Sequence, residues 1–200
     1  MKNKTTQNKN KLLFEEGYEL AFNSKKKNWK KVYSLWEVAA KSGHTRSQFY
    51  LGTCYDNGLG ISKNQKEAFY WYMKAAKSGH RDAQYNVGVF YSNDELNLRD
   101  EKKKIFWYKK AAMAGLIAAQ TDLGYSYFYG EGIKENLEKA IYWYKKAAAQ
   151  NDSFANYNLG LCYKDGEGVT KSNRWAKYYF QKAERLGHKK ASKQIKKLLR

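Results

Sequence analysis

His44, His80 and His188, together with Cys54 and Cys162, are the residues of this chain whose types could do chemistry. Histidines that converge can hold zinc, at about 2 Å from each ring nitrogen. Here they stand 36 and 108 residues apart, multiples of one period. Successive units of a helical stack are separated by about 10 Å, so two of these imidazoles cannot share an ion. Capping or surface roles are expected instead. The cysteines are also 108 residues apart, which puts them far beyond the roughly 7 Å Cα limit for a disulfide. Both are expected as half-buried, reduced thiols. Carboxylates are scattered, with no acid–base pair and no Ser–His–acid set. The GEG turns at 130–132 and 166–168 are too short for a phosphate loop, and no G-x-x-x-x-G-K-[ST] occurs. Neither an enzyme nor a cofactor is expected.

The elements that carry these residues repeat. Gly52, Gly88, Gly124 and Gly160 fall 36 residues apart, as do Tyr55, Tyr91, Tyr127 and Tyr163. Gly43, Gly79, Gly115 and Gly187 keep the same beat, with Asn151 in the vacant slot. A fixed period of this length marks a repeat architecture. Each unit reads as two helices, and the absence of proline leaves them uninterrupted. On the first helix Leu51, Val87 and Leu123 mark an inward stripe, beside a glycine that predicts a close helix crossing where no Cβ fits. A glycine turn follows, then a second helix carrying WYMKAA at 71–76, WYKKAA at 107–112 and WYKKAA at 143–148. Large rings among alanines suit close stacking, and repetition follows because a single hairpin cannot bury its own apolar face.

The pattern A-x-x-x-[LV]-G-x-x-Y, then G-x-G-[IV], then K-A-x-x-W-Y-x-K-A-A-x-x-G resembles the Sel-one-like repeat (SLR) family, a relative of the tetratricopeptide repeats. The resemblance implies an all-α fold, a right-handed α/α superhelix (solenoid) of about five helix-turn-helix repeats of 36 residues plus a C-terminal capping helix. The expected organisation is a basic flexible N-terminal arm at 1–11, then a solenoid at 12–190 with units at about 12–46, 47–82, 83–118, 119–154 and 155–190. The capping helix is expected at 189–200, with Ile195, Leu198 and Leu199 as its apolar residues. The unit at 83–118 departs from the pattern, with Asp94 and Leu96 in place of both turn glycines. Its turn is therefore either differently shaped or strained at Leu96. Some SLR proteins carry a disulfide in each repeat; this chain lacks that cysteine pair.

Positions opposite the inward stripe are the informative ones. At about 100° per residue, they are Phe49, Thr53 and Asp56; Tyr85, Val89 and Ser92; Thr121, Tyr125 and Phe128; and Tyr157, Leu161 and Lys164. Tyr50, Asn86, Asp122 and Asn158 flank them. By resemblance to tetratricopeptide arrays this side lines the concave surface, unless tight curvature buries it against neighbouring helices. Seven of the twelve are aromatic or aliphatic, whereas a solvated face should be polar. A partner-binding groove is therefore expected at Phe49, Tyr50, Thr53, Tyr85, Asn86, Val89, Tyr125, Phe128, Tyr157, Asn158 and Leu161.

The net charge of +19 lies mainly at the ends. Residues 1–11, 24–31 and 185–200 hold sixteen lysines and arginines and no acid, leaving 22 basic and 19 acidic residues elsewhere. Polar ends keep a solenoid soluble, and they would steer an acidic partner. The leading expectation is a non-catalytic scaffold that binds a peptide or protein domain. By resemblance, it would be a bacterial adaptor or a toxin-immunity protein. The alternative is nucleic-acid binding, with the ends on phosphate and groove tyrosines stacked on bases. No run of 18 apolar residues exists, so stable membrane insertion is not expected. The basic start lacks an apolar h-region, and the chain as it stands is expected in the cytoplasm. The sequence leaves the oligomeric state open.

Overall fold

Five residues spaced 36 apart start the second helix of each pair: Asn28, Asn64, Asp100, Asn136 and Ser172. In the computed structural model each side-chain oxygen accepts from the backbone N–H three residues on, at 3.1, 3.2, 2.9, 2.8 and 3.3 Å. Such caps satisfy donors that a helix N-terminus leaves unpaired, at about 1 kcal/mol each. The helices they open are α2 (Trp29–Lys41), α4 (Gln65–Lys77), α6 (Glu101–Met113), α8 (Leu137–Ala149) and α10 (Asn173–Arg185). The first helices are α1 (Lys2–Tyr18), α3 (Thr45–Asn57), α5 (Arg81–Ser92), α7 (Ile117–Tyr129) and α9 (Ser153–Asp165); α11 (Ala191–Leu198) follows the last pair. A π-helical turn, Glu19–Asn23, extends α1. The structure describes residues 2–94 and 96–198, with side chains from residue 5 onward. Among the described residues it is helical and contains no strand.

The chain divides into two compact units, 1–99 and 100–200. The division falls in the connection that lacks the paired glycines. In the first unit the core runs from Phe14, Val32 and Trp36 to Leu51, Trp71 and Tyr72. In the second it comprises Tyr108, Leu123, Tyr144, Leu159 and Phe180 with intervening alanines. The helix-interior glycines have the role expected of them. A Cβ on Gly124 would come within 2.7 Å of the Tyr144 ring, and one on Gly160 within 2.5 Å of the Phe180 ring. In these two pairs, and in those where Gly17 meets Trp36 and Gly52 meets Tyr72, the first helix therefore lies directly on the aromatic ring of the second.

Three sequence expectations change. Residues 2–11, expected as a flexible arm, are the opening turns of α1; they contain neither glycine nor proline to stop the helix, and Asn10 is buried. The final helix is shorter than 189–200, and Leu199, counted in its apolar face, lies outside the described residues. The 83–118 turn is differently shaped and not strained at Leu96. There α5 ends on extended Asn93 in place of the left-handed glycines at 58, 130 and 166, and Asn97 takes the positive φ of 52°. Asparagine tolerates that region far better than a branched aliphatic residue.

Candidate functional site: the outward face of the first helices

Three of the first helices, α3, α5 and α7, are themselves fixed by buried amides. Gln48, Gln84 and Gln120 donate to the carbonyls of Ala40, Ala76 and Ala112, eight residues earlier, at 3.3, 3.2 and 3.1 Å. This holds the start of the helix against the end of the preceding one and sets which residues face outward. The histidines complete the junction. His44 and His80 cap α3 and α5, their Nδ1 atoms accepting from the backbone N–H groups of Ser47 and Ala83. Asp152 does the same for α9, accepting from Ala155 N–H at 2.6 Å.

None of the eleven expected groove residues is buried. In the first unit the Phe49 ring stacks on His80, while Tyr50 packs among Phe14, Tyr18, Phe22 and Trp36. Thr53 is tied inward: its Oγ1 donates to the Phe49 carbonyl and accepts from Tyr72 Oη at 3.2 Å. Tyr85 and Asn86 are half-buried and Val89 is exposed. In the second unit Tyr125 is 43% exposed, with its ring 4.4 Å from that of Tyr129. Tyr157 stacks on His188 with centroids 4.1 Å apart, and its hydroxyl accepts from Gln194 Nε2 at 3.2 Å.

Three expected residues, Phe128, Asn158 and Leu161, meet round one cleft of about 210 Å³ in the second unit. Buried Tyr144 and Cys162 form its floor, and exposed Tyr129, Asp165 and Glu167 complete its lining. Burial pushes the Tyr144 phenol well above its ordinary range and the Cys162 thiol up to about 12, so the floor is neutral. The cleft offers apolar walls, a side-chain amide and two carboxylates, but no activated nucleophile. Among the described residues no group of three or more His, Cys, Asp or Glu is placed to hold a metal ion. Also among them, no helix is long and apolar enough to cross a membrane. Tyr129, Tyr144, Asp165 and Glu167 were missed from sequence. The signal for the first was present in YSYFYG at 125–130, where four of five residues before the glycine are aromatic.

Helical hairpins of one period, with an outward face whose residues vary from repeat to repeat, define a helical-repeat protein. The chain belongs to the Sel1 repeat family, whose repeat matches residues 45–80, 81–116, 117–152 and 153–188. Sel1 repeats mediate protein–protein interaction and are generally non-catalytic. No curated protein matches the chain. Among solved structures it is similar to a protective antigen of uropathogenic Escherichia coli strains that displays an SLR fold. That match has 29% identity and a TM-score of 0.89 over 97% of this chain, which spans only 42% of the antigen's length. It is also similar to a Sel1 repeat protein from Oxalobacter formigenes, with 29% identity and a TM-score of 0.84 over 93% of this chain and 74% of that one. An immunity protein from Pseudomonas aeruginosa, 22% identical over 91% of this chain and 67% of its own, shares the fold at a TM-score of 0.56.

Proposed function

We propose that this protein is a non-catalytic scaffold that binds a peptide or protein domain along the outward face of its first helices. The observation that carries this reading is the state of the expected groove residues. All eleven keep solvent access, although eight are aromatic or aliphatic. Accessible rings on a rigid scaffold are what protein interfaces use as anchors. In the second unit Tyr125, Phe128, Asn158 and Leu161 are the anchors, and the cleft beside them receives one partner side chain. The basic ends steer an acidic partner, as the charge distribution supports. Adaptor and toxin-immunity roles are both uses of such a scaffold, and the fold shared with immunity proteins is consistent with the latter. A reducing, cytoplasmic setting suits two buried, unpaired thiols.

Hydroxyl-radical footprinting of the full chain with a purified partner tests this reading. Protection concentrated at Tyr125, Phe128 and Leu161 is expected, and protection confined to other surfaces would contradict it. Titration with a labelled single-stranded oligonucleotide at several salt concentrations checks the competing use. Tight binding with a steep salt slope would favour nucleic acid.

A further inference from the structure

The second helices carry a feature that the groove does not use. Tyr70, Phe106, Tyr142 and Tyr178 occupy one repeat position and are 48, 51, 51 and 46% exposed. A solvated helix position has no need of a large ring, and four in register leave repeated apolar surface in water. Each ring meets the residue after it edge-on, Trp71, Trp107, Trp143 or Tyr179, with centroids 5.0–5.2 Å apart. A lysine follows one turn later. Lys74, Lys110 and Lys146 hold their ammonium groups 4.6, 4.9 and 5.6 Å from the rings of Tyr70, Phe106 and Tyr142. Lys182 instead donates to the Ala148 carbonyl.

The charge of this face is one-sided. In the second unit the exposed positions of α6, α8 and α10 hold nine lysines and arginines, against Glu138 and Glu184 alone. In the first unit α4 exposes Lys66, Lys74 and Lys77, and its single acid, Glu67, is half-buried. The chain's nearly neutral middle conceals this segregation, because most of its acids stand in turns, caps and first helices.

We propose that the outer face of α6, α8 and α10 docks on an anionic lipid surface, with the rings at headgroup level and the lysines on the acidic headgroups. Charge complementarity is the first reason: anionic leaflets attract clustered lysines near their surface. The second is composition, since tyrosine and lysine each join an apolar body to a polar tip and settle at the membrane–water boundary. The third is uniformity. Groove position 49 changes through the repeats to Tyr85, Thr121 and Tyr157, as a shaped partner requires, whereas the outer position keeps nearly the same ring throughout. A face that repeats itself suits a surface with no shape of its own. Single-stranded nucleic acid fits less well, because base stacking needs open ring faces and an ammonium already covers three of these rings.

The test is sedimentation of the full chain with phosphatidylcholine vesicles containing about one-third phosphatidylserine, at about 0.1 M salt. Binding to these and not to pure phosphatidylcholine is expected. Phe106→Ser, Tyr142→Ser and Tyr178→Ser together leave every charge in place and should weaken binding about 10-fold or more. Lys110→Gln with Lys146→Gln should weaken it too and flatten its salt dependence. The rings are half in solvent, so both variants should keep the wild-type helical circular dichroism. Absence of sedimentation overturns the proposal. So does wild-type binding by the ring variant, which would assign the attraction to the lysine-rich ends. Oligonucleotide binding that is lost with the same rings, without vesicle binding, overturns it in favour of nucleic acid.

Discussion

The Phe49 ring lies nearly parallel to the His80 imidazole, 15° between planes and 4.4 Å between centroids. His80 also caps α5, so one side chain closes a helix and supports the outward residue of the preceding first helix. Tyr157 on His188 repeats the pairing, at 4.1 Å and 19°. Where the cap is Asp152, its partner is Thr121, whose hydroxyl donates to the carboxylate at 3.0 Å. Ring meets ring and hydroxyl meets carboxylate, so the pair varies as a unit. Positions 49, 121 and 157 thus each have one side fixed by the next repeat.

These caps make stability depend on pH. His44 and His80 accept through Nδ1 and must be neutral to do so. Both are held below the ordinary histidine value of 6.5, chiefly by burial; Arg46 adds to this at each, while Glu15 opposes it at His44 and Asp82 at His80. With the folded value depressed, the unfolded chain takes up protons first. The contribution is therefore complete above about pH 6.5 and is lost as pH falls through the folded values. Thermal melts should show a lower midpoint at about pH 5 than at pH 7. His80→Asn should keep the cap and remove that residue's share of the change. A midpoint indifferent to pH would contradict the capping role. At neutral pH His80→Ala should cost about 1–2 kcal/mol, from the cap and the lost stack.

Gly160→Ala should destabilise the second unit. The new methyl would stand 2.5 Å from two carbons of the Phe180 ring, and overpacking of this kind costs about 1–3 kcal/mol. Alanine's better helix propensity returns at most about 1 kcal/mol. Urea denaturation should show a net loss, and Phe180→Leu in the same chain should shrink it by making room. Wild-type stability for the single variant would mean that the crossing is looser than described.

This crossing shows what the sequence made legible. The period, the two-helix unit and the reason for the interior glycines all followed from residue types alone, because each is a local steric demand repeated in register. The junction was harder to see. The Gln48, Gln84 and Gln120 bonds to carbonyls eight residues back and the Phe49–His80 stack join residues of different helices, and no single-helix projection shows them. Sequence also treated the outward face as one set, whereas Tyr50 is committed to the first helical pair and Phe128, Asn158 and Leu161 share a cleft. Of the two outcomes open for the 83–118 turn, the unstrained one holds because the residue able to take positive φ, Asn97, stands one place after Leu96. The outer rings went unnoticed because WYxKAA drew attention to the buried half of the helix, while Tyr70 and Phe106 stand just before it.

Cys54 and Cys162 should be inert in the native state. Both are fully buried, and burial pushes each thiol up to about 12, so the thiolate that reacts is scarce at neutral pH. A colorimetric disulfide reagent should titrate neither in the folded chain at pH 7 and both after denaturation. Rapid labelling of the native protein would contradict this burial.

Partner binding is proposed to lie on the outward face of the first helices. The most direct measurement is the affinity of a purified partner for three proteins: the wild type, a Tyr85→Ala, Tyr125→Ala, Tyr157→Ala variant, and a Tyr142→Ala control on the opposite helices. The groove variant should lose about 100-fold or more, as the removal of interface anchors does, while the control stays within a few-fold of wild type. Equal affinity for the wild type and the groove variant would contradict the claim.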